Sequence, residues 1–194
     1  MTSPADDIAL YVHWPFCLSL CPYCDFNSHV RDTIDQGAWR DGLLRELEHY
    51  AARVPERRLT SIFFGGGTPS LMPPETARAV ITRARELFAP DPNLEITLEA
   101  NPTSVEQTAL AGFADAGINR LSLGVQALDD AALSALGRTH AVSEARAAIA
   151  TAADIFERFS FDLMYARPGQ TPDAWMRELD GALALTRGHL SVYQ

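Results

Sequence analysis

The stretch IALYVHWPFCLSLCPYC, residues 8–24, sets a short apolar run directly against three cysteines. Residues 8–13 are rich in β-branched and aromatic side chains and short enough for a buried parallel strand. Runs of the same character follow at 61–64, 94–99, 120–125, 159–164 and 190–193. Helical patterns lie between them. Trp39, Leu43, Leu44, Leu47, Tyr50 and Ala51 recur at helical spacing, which predicts an amphipathic helix over 34–53. Similar patterns cover 74–88, 105–116, 129–136, 143–156 and 172–186, several opened by Thr, Ser or Asp as caps.

Strands that alternate with helices pair in parallel through right-handed crossovers, which leaves a doubly wound open sheet or a TIM-like barrel. The polar residues discriminate. The cysteines follow the first strand, residues 65–70 the second, Glu99 and Asn101 end the third, and Gln126 follows the fourth. Asp162 and Gln194 fall late in the fifth and sixth. A barrel gathers these strand ends round one mouth, whereas an open sheet spreads them along an edge. The expected fold is therefore α/β, a partial (β/α)6 TIM-like barrel of parallel strands. The chain stops at an apparent buried strand, so residues 1–194 are expected to be one core domain of a longer protein.

Composition narrows the function classes. With 47% hydrophobic and 9% aromatic residues in 194, the chain can bury a substantial core. Its 16 basic and 25 acidic residues give a net charge of -9 with the signs interspersed, which argues against sequence-independent nucleic-acid binding. Residues 1–7 lack the basic and apolar regions of a signal peptide, and no run approaches the length of a membrane span, so a cytoplasmic location is expected. Three cysteines within eight residues do not resemble a disulfide framework; ligation is the better reading.

Cys17, Cys21 and Cys24 have the spacing C-x3-C-x2-C. Three thiolates on a four-iron cube leave one iron free for a small molecule. The amino and carboxylate groups of an amino acid can chelate that iron, bringing an attached sulfonium close enough to accept an electron. Zinc is the alternative. Structural zinc normally has four closed ligands, and no Cys-x2-Cys or His-x3-His partner follows, although His13 and His29 flank the motif. Residues 65–67 are a glycine triplet directly after a strand, where exposed amides can form a nest for a carboxylate, or simply a tight turn. Trp14, Phe16 and Tyr23 read either as packing of the cysteine loop or as aromatic cover over it.

Residues 11–17 (YVHWPFC) and 21–29 (CPYCDFNSH) resemble the radical SAM superfamily, specifically the group containing oxygen-independent coproporphyrinogen III oxidases and HemW-type heme chaperones. The segments FGGGTPS (64–70), EANP (99–102), GVQ (124–126), LGRTH (136–140) and FDLMYARPGQ (161–170) follow in the family's order. The resemblance implies a barrel of the radical SAM type, a [4Fe-4S] cluster on Cys17, Cys21 and Cys24, and S-adenosylmethionine (SAM) bound by Tyr11, Gly66, Gly67, Thr68, Glu99, Gln126, Arg138 and Asp162. No catalytic residue beyond the cluster is implied. Oxidases of this group carry a further cysteine two residues after the third; here that position is Phe26, which is the chaperone pattern. The chaperone resemblance implies heme as a ligand of the full-length protein, and transfer of that heme to apo-proteins such as respiratory enzymes, with peripheral membrane association compatible with that role. The alternative it implies is radical oxidative decarboxylation of porphyrinogen propionates in porphyrin biosynthesis. Arg167 departs from the family's usual Leu and adds a charge near the barrel mouth.

Overall fold

A computed structural model describes residues 6–194. The first five residues of the segment read as lacking a signal peptide lie outside the described residues. Fifteen elements follow one another: β1 (Asp7–Trp14), β2 (Phe16–Cys17), β3 (His29–Val30), α1 (Gln36–Ala51), β4 (Arg58–Gly66), a 3-10 turn (Pro69–Leu71), α2 (Pro74–Leu87), β5 (Ala89–Ala100), α3 (Ser104–Ala116), β6 (Arg120–Gln126), α4 (Asp130–Ala135), α5 (Val142–Ile155), β7 (Arg158–Met164), α6 (Pro172–Leu183) and β8 (Ser191–Tyr193).

Six strands form one parallel sheet in the order β1-β4-β5-β6-β7-β8. Spatial order equals chain order, so every crossover advances in the same direction and the sheet curls into a half-barrel instead of winding outward both ways. This is the partial parallel barrel expected from the strand-end residues.

Side-chain polarity alternates along the strands. Leu121, Leu123 and Val125 of β6 and Phe159, Phe161 and Leu163 of β7 are buried on the outer face, packed with Ile96, Leu98, Ile62 and Phe64 against Val80, Ile81, Leu110, Phe113 and Ile149 of the helices. The intervening positions are polar: Glu95, Thr97 and Glu99 on β5, Ser122 on β6, Ser160 and Asp162 on β7. A period of two therefore separates a dry helical layer from a polar concave face. At the N-terminal end of that face Glu95 joins Arg120, at 3.0 Å, to Arg158, at 2.5 Å.

Local chemistry sets the boundaries. Asp35 caps α1 by accepting Ala38 N–H at 2.9 Å, which starts the helix two residues later than its apolar pattern suggests. β5 begins at Ala89, ahead of the expected 94, because Ala89 and Pro90 pair with Arg58 and Leu59 before an irregularity shifts the register. The β2–β3 pair is absent from the sequence reading, since two-residue strands leave no periodic signal. Among the described residues no helix is long and apolar enough to cross a membrane.

Phe64 is fully enclosed between sheet and helices. Phe64→Ala is expected to lower the unfolding free energy by about 3–5 kcal/mol, measured by chemical denaturation.

Candidate functional site

The cysteine loop is built from β1 outward. Trp14 and Phe16 are buried and pack edge-to-face with each other and with Trp39 of α1, Phe16 and Trp39 having centroids 4.9 Å apart. Their burial anchors the start of the loop. Its end returns beside its start, because Phe16 and Cys17 pair with His29 and Val30 and His29 N–H donates to Pro15 O at 2.6 Å. His13 is engaged in the same closure through Nε2 to Asn27 O at 2.9 Å. Within the loop Cys24 N–H donates to Cys21 O at 3.0 Å, forming a turn that sets these two cysteines side by side. Trp14 and Phe16 thus pack the base of the loop, while half-buried Tyr23 faces the cavity.

The glycine turn after β4 docks on this base. Gly67 N–H donates to Trp14 O at 2.7 Å and Thr68 N–H to Phe16 O at 2.8 Å. These amides are already engaged, and the Gly66 amide donates to the Glu99 carboxylate, so the turn is not an open nest. Its glycines serve close approach instead. A Cβ on Gly67 would lie 2.8 Å from Phe16 O, and Gly66 adopts φ +110 with a Cβ position 2.6 Å from the His13 ring.

Strand ends, the glycine turn and the cysteine loop surround one cavity of about 650 Å³. It brings together Cys17, Cys21, Cys24, Gly67, Thr68, Glu99, Gln126, Arg138 and Asp162. Gly66 sits behind this lining, and exposed Tyr11 lines a neighbouring groove beside β1, stacked on Phe63. Tyr11 still belongs to the same field, since burial and then the Glu99 charge raise its pKa. Gln126 is buried with φ 73, a left-handed conformation unusual for a side-chain-bearing residue. Tyr193 O–H donates to its Oε1 at 2.5 Å and Arg167 donates to its carbonyl.

The cavity's charges are displaced from their ordinary behaviour. Burial pushes Glu99 up to about 7, with the Asp162 charge adding and the Gly66 amide opposing. Burial likewise pushes Asp162 up to about 6, opposed by Ser191 and Arg138. Tyr23 is pushed up to about 12 by burial, its neighbours being Arg138 and Cys21. Two carboxyl groups that resist ionising while facing the same space suit a cationic ligand. Arg138 points the other way, donating to the Cys21 Sγ at 3.5 Å, to Asn101 Oδ1 at 2.5 Å and to Gly124 O at 2.8 Å. Its buried Nε has no partner among the described residues. Also among the described residues, no three His, Cys, Asp or Glu side chains converge as a single-ion site. Three thiols on one cavity wall, with no fourth Cys or His in its lining, suit a cube with an open corner better than the closed four-ligand shell of structural zinc.

Several participants escaped the sequence reading. Asn101 was noted only as a strand-end residue, yet it bridges Arg138 and Thr68. Glu106 is 1% exposed and holds the Asn101 amide at 2.8 Å together with the Ser70 hydroxyl. The signal for it is the capping pattern from Thr103 to Glu106, which marks a helix start but not a link to the site. His140 is structural: it is buried against Val125 O at 3.1 Å, and burial, then Arg138, lowers its pKa to about 4. Arg167 does not charge the cavity. Its guanidinium forms a buried pair with Glu178, which also accepts Leu128 N–H at 2.7 Å, and so braces the turn after β6.

Comparisons agree with this geometry. The model of the Radical SAM superfamily matches residues 11–180. The chain is 44% identical over 187 residues to the mitochondrial radical S-adenosyl methionine domain-containing protein 1 of Bos taurus, covering 96% of this chain and 42% of that protein. It is 38% identical over 193 residues to the heme chaperone HemW of Haemophilus influenzae, covering 96% of this chain and 50% of that one. The chain thus spans about half the length, or slightly less, of the curated relatives it matches. Among solved structures, the coproporphyrinogen III oxidase HemN of Escherichia coli superposes with a TM-score of 0.86 at 30% identity, over 98% of this chain and 44% of that one. The half-barrel, the cysteine loop at its mouth and the matched motifs make this chain a member of the radical SAM superfamily, related to the heme chaperones.

Proposed function

We propose that this chain is the SAM-binding core of a heme chaperone of the HemW kind, in which Cys17, Cys21 and Cys24 hold a [4Fe-4S] cluster. Family membership implies SAM and the cluster. The assignment to these residues rests on one observation: three thiols, two half-buried carboxyl groups and Arg138 meet in a single cavity at the C-terminal mouth of the sheet. When bound, the cluster and SAM together supply one-electron chemistry at a sulfonium.

The protein's own part is binding, orientation and exclusion of water. Thr68 and Arg138 donate hydrogen bonds toward the Cys17 and Cys21 sulfurs and hold them in place. Glu99 and Asp162 offer negative charge to the sulfonium of SAM and accept hydrogen bonds from its amino group, which relieves their mutual repulsion. Gly67, on the cavity wall, offers close backbone approach at the methionyl end, with Gly66 behind it. Gln126 and Arg138, both on the cavity wall, complete the contacts in this reading, while Tyr11 stands on the neighbouring groove.

Residues 1–194 are the core domain here; heme is bound by the longer protein and passed to apo-proteins such as respiratory enzymes. The setting is cytoplasmic, with peripheral association at a membrane and no nucleic-acid partner. Phe26 favours the chaperone over a porphyrinogen decarboxylase, because an exposed apolar ring stands at the cavity rim where the oxidases carry a further cysteine.

Anoxic reconstitution with ferrous iron and sulfide is expected to yield about four irons per chain with the Mössbauer signature of the cube. Cys21→Ser is expected to lose most of that iron while keeping its circular dichroism; stoichiometric zinc retention without the cube would overturn the assignment. The full-length protein is expected to bind heme and show no efficient coproporphyrinogen decarboxylation, the reverse result making it an oxidase. A pH dependence follows from Glu99. Its folded pKa lies above its unfolded one, so the native state binds the extra proton and stability falls as pH rises from about 4.5 toward about 7. Glu99→Gln is expected to flatten that decline in the cluster-free chain and to be more stable than wild type at pH 8 by on the order of 2 kcal/mol, read from urea unfolding across pH.

A further inference from the structure

We infer that Asn101 is a positioning residue that joins the hydrogen bonds reaching two cluster cysteines into one bridge and thereby raises the reduction potential of the cluster. The inference rests on the proposed ligation by Cys17 and Cys21.

The bridge can be followed atom by atom. Asn101 Nδ2 donates to Thr68 Oγ1 at 3.2 Å, and Thr68 Oγ1 donates to Cys17 Sγ at 3.5 Å. Asn101 Oδ1 accepts from Arg138 Nη2 at 2.5 Å, and Arg138 Nη1 donates to Cys21 Sγ at 3.5 Å. The orientation of the amide is not arbitrary. A guanidinium carries donors only, so the oxygen must face Arg138 and the nitrogen must face Thr68. Donation from Nδ2 occupies the Thr68 oxygen and leaves its proton for the sulfur, which polarises both bonds in the same sense. A single side chain therefore supports both sulfur contacts, with Gly124 O as a second acceptor for the Arg138 guanidinium.

Asn101 is itself held from behind. Its backbone N–H donates to Glu106 at 2.8 Å, and Glu106, buried at the start of α3, is shared with Ser70 and Thr103. The strand end, the 3-10 turn and the helix start converge on this carboxylate, so the amide enters the cavity from a rigid base. Nothing in the bridge needs Asn101 to touch SAM. Its chemistry is that of a spacer whose acceptor and donor match a guanidinium on one side and a hydroxyl on the other.

Hydrogen bonds to cluster sulfurs and nearby positive charge stabilise the reduced cube, which carries one more negative charge than the oxidised one. In the reduction a single electron passes from a low-potential donor to the cube, and no bond is made or broken in the protein. Loss of the bridge frees Thr68 to rotate away from Cys17 and leaves Arg138 with Gly124 O as its remaining anchor, which loosens its contact with Cys21. The potential must then fall.

The test is an EPR-monitored redox titration of the reconstituted cluster, poised with dithionite and mediators, in wild type, Asn101→Leu, Thr68→Val and the double variant. Asn101→Leu is expected to lower the reduced-to-oxidised ratio at a fixed potential about tenfold, equivalent to about 59 mV for a one-electron couple. Because both substitutions break the same bridge, the double variant is expected to shift less than the sum of the single ones. Thr68→Ser, which keeps the hydroxyl, is expected to restore the wild-type potential. Should Asn101→Leu take up no cluster, Asn101→Ser removes the bridge without adding bulk and is titrated in its place. An unchanged potential in an Asn101 variant with full iron content, or strictly additive shifts, refutes the bridge while leaving the cluster assignment intact. A wild-type protein that assembles no cube refutes the cluster assignment itself.

Discussion

The site depends on a backbone contact that only glycine allows. Gly67 and Thr68 donate their amides to the carbonyls of Trp14 and Phe16, tying the end of β4 to the root of the cysteine loop. At Gly67 a side chain would meet the backbone of Phe16 and Pro15, and at Gly66 it would meet the His13 ring. This approach brings the Thr68 hydroxyl within reach of the Cys17 sulfur. Without it, the loop and the strand ends would belong to separate surfaces.

From that contact the polar network spreads across the mouth of the half-barrel. Thr68, Asn101 and Arg138 form its near rim, with Glu99, Asp162 and Tyr193 on the concave sheet face. Glu99 and Asp162 lie on strands whose opposite face is packed against helices, and Thr68 and Asn101 directly follow such strands or their turns, so these polar groups inherit the rigidity of an apolar layer they do not touch. Burial then shapes their chemistry: carboxyl groups that would be fully ionised at neutral pH in water hold their protons more tightly here. The same arrangement answers the question raised by Arg167. A charge placed where the family usually has leucine is neutralised by Glu178 away from the cavity, and braces the left-handed backbone of Gln126 from outside.

Much of the architecture was legible because it is periodic. The strands and helices lie close to their expected spans, since apolar periods of two and between three and four survive translation into burial. The exceptions are instructive. The β2–β3 pair is too short to carry a period, and the early start of β5 runs through Ala89 and Pro90, residues ahead of the apolar run that pair because β4 lies alongside. The glycine triplet was legible as a close approach, but not which partner it approaches. Its amides are occupied by protein carbonyls, so the alternative of an anion nest gave way to a docking turn.

The sequence by itself determined the alternation of strand and helix, the cysteine spacing and the polar residues at strand ends, because each is a local pattern written in consecutive residues. Only the tertiary structure decided which of those residues meet. Asn101 lies 33 positions from Thr68 and 37 from Arg138, and no local rule links an amide to two partners so remote. Burial and hydrogen-bond geometry arise when the sheet curls, and with them come the raised carboxyl pKa values and the bridge between the cysteines.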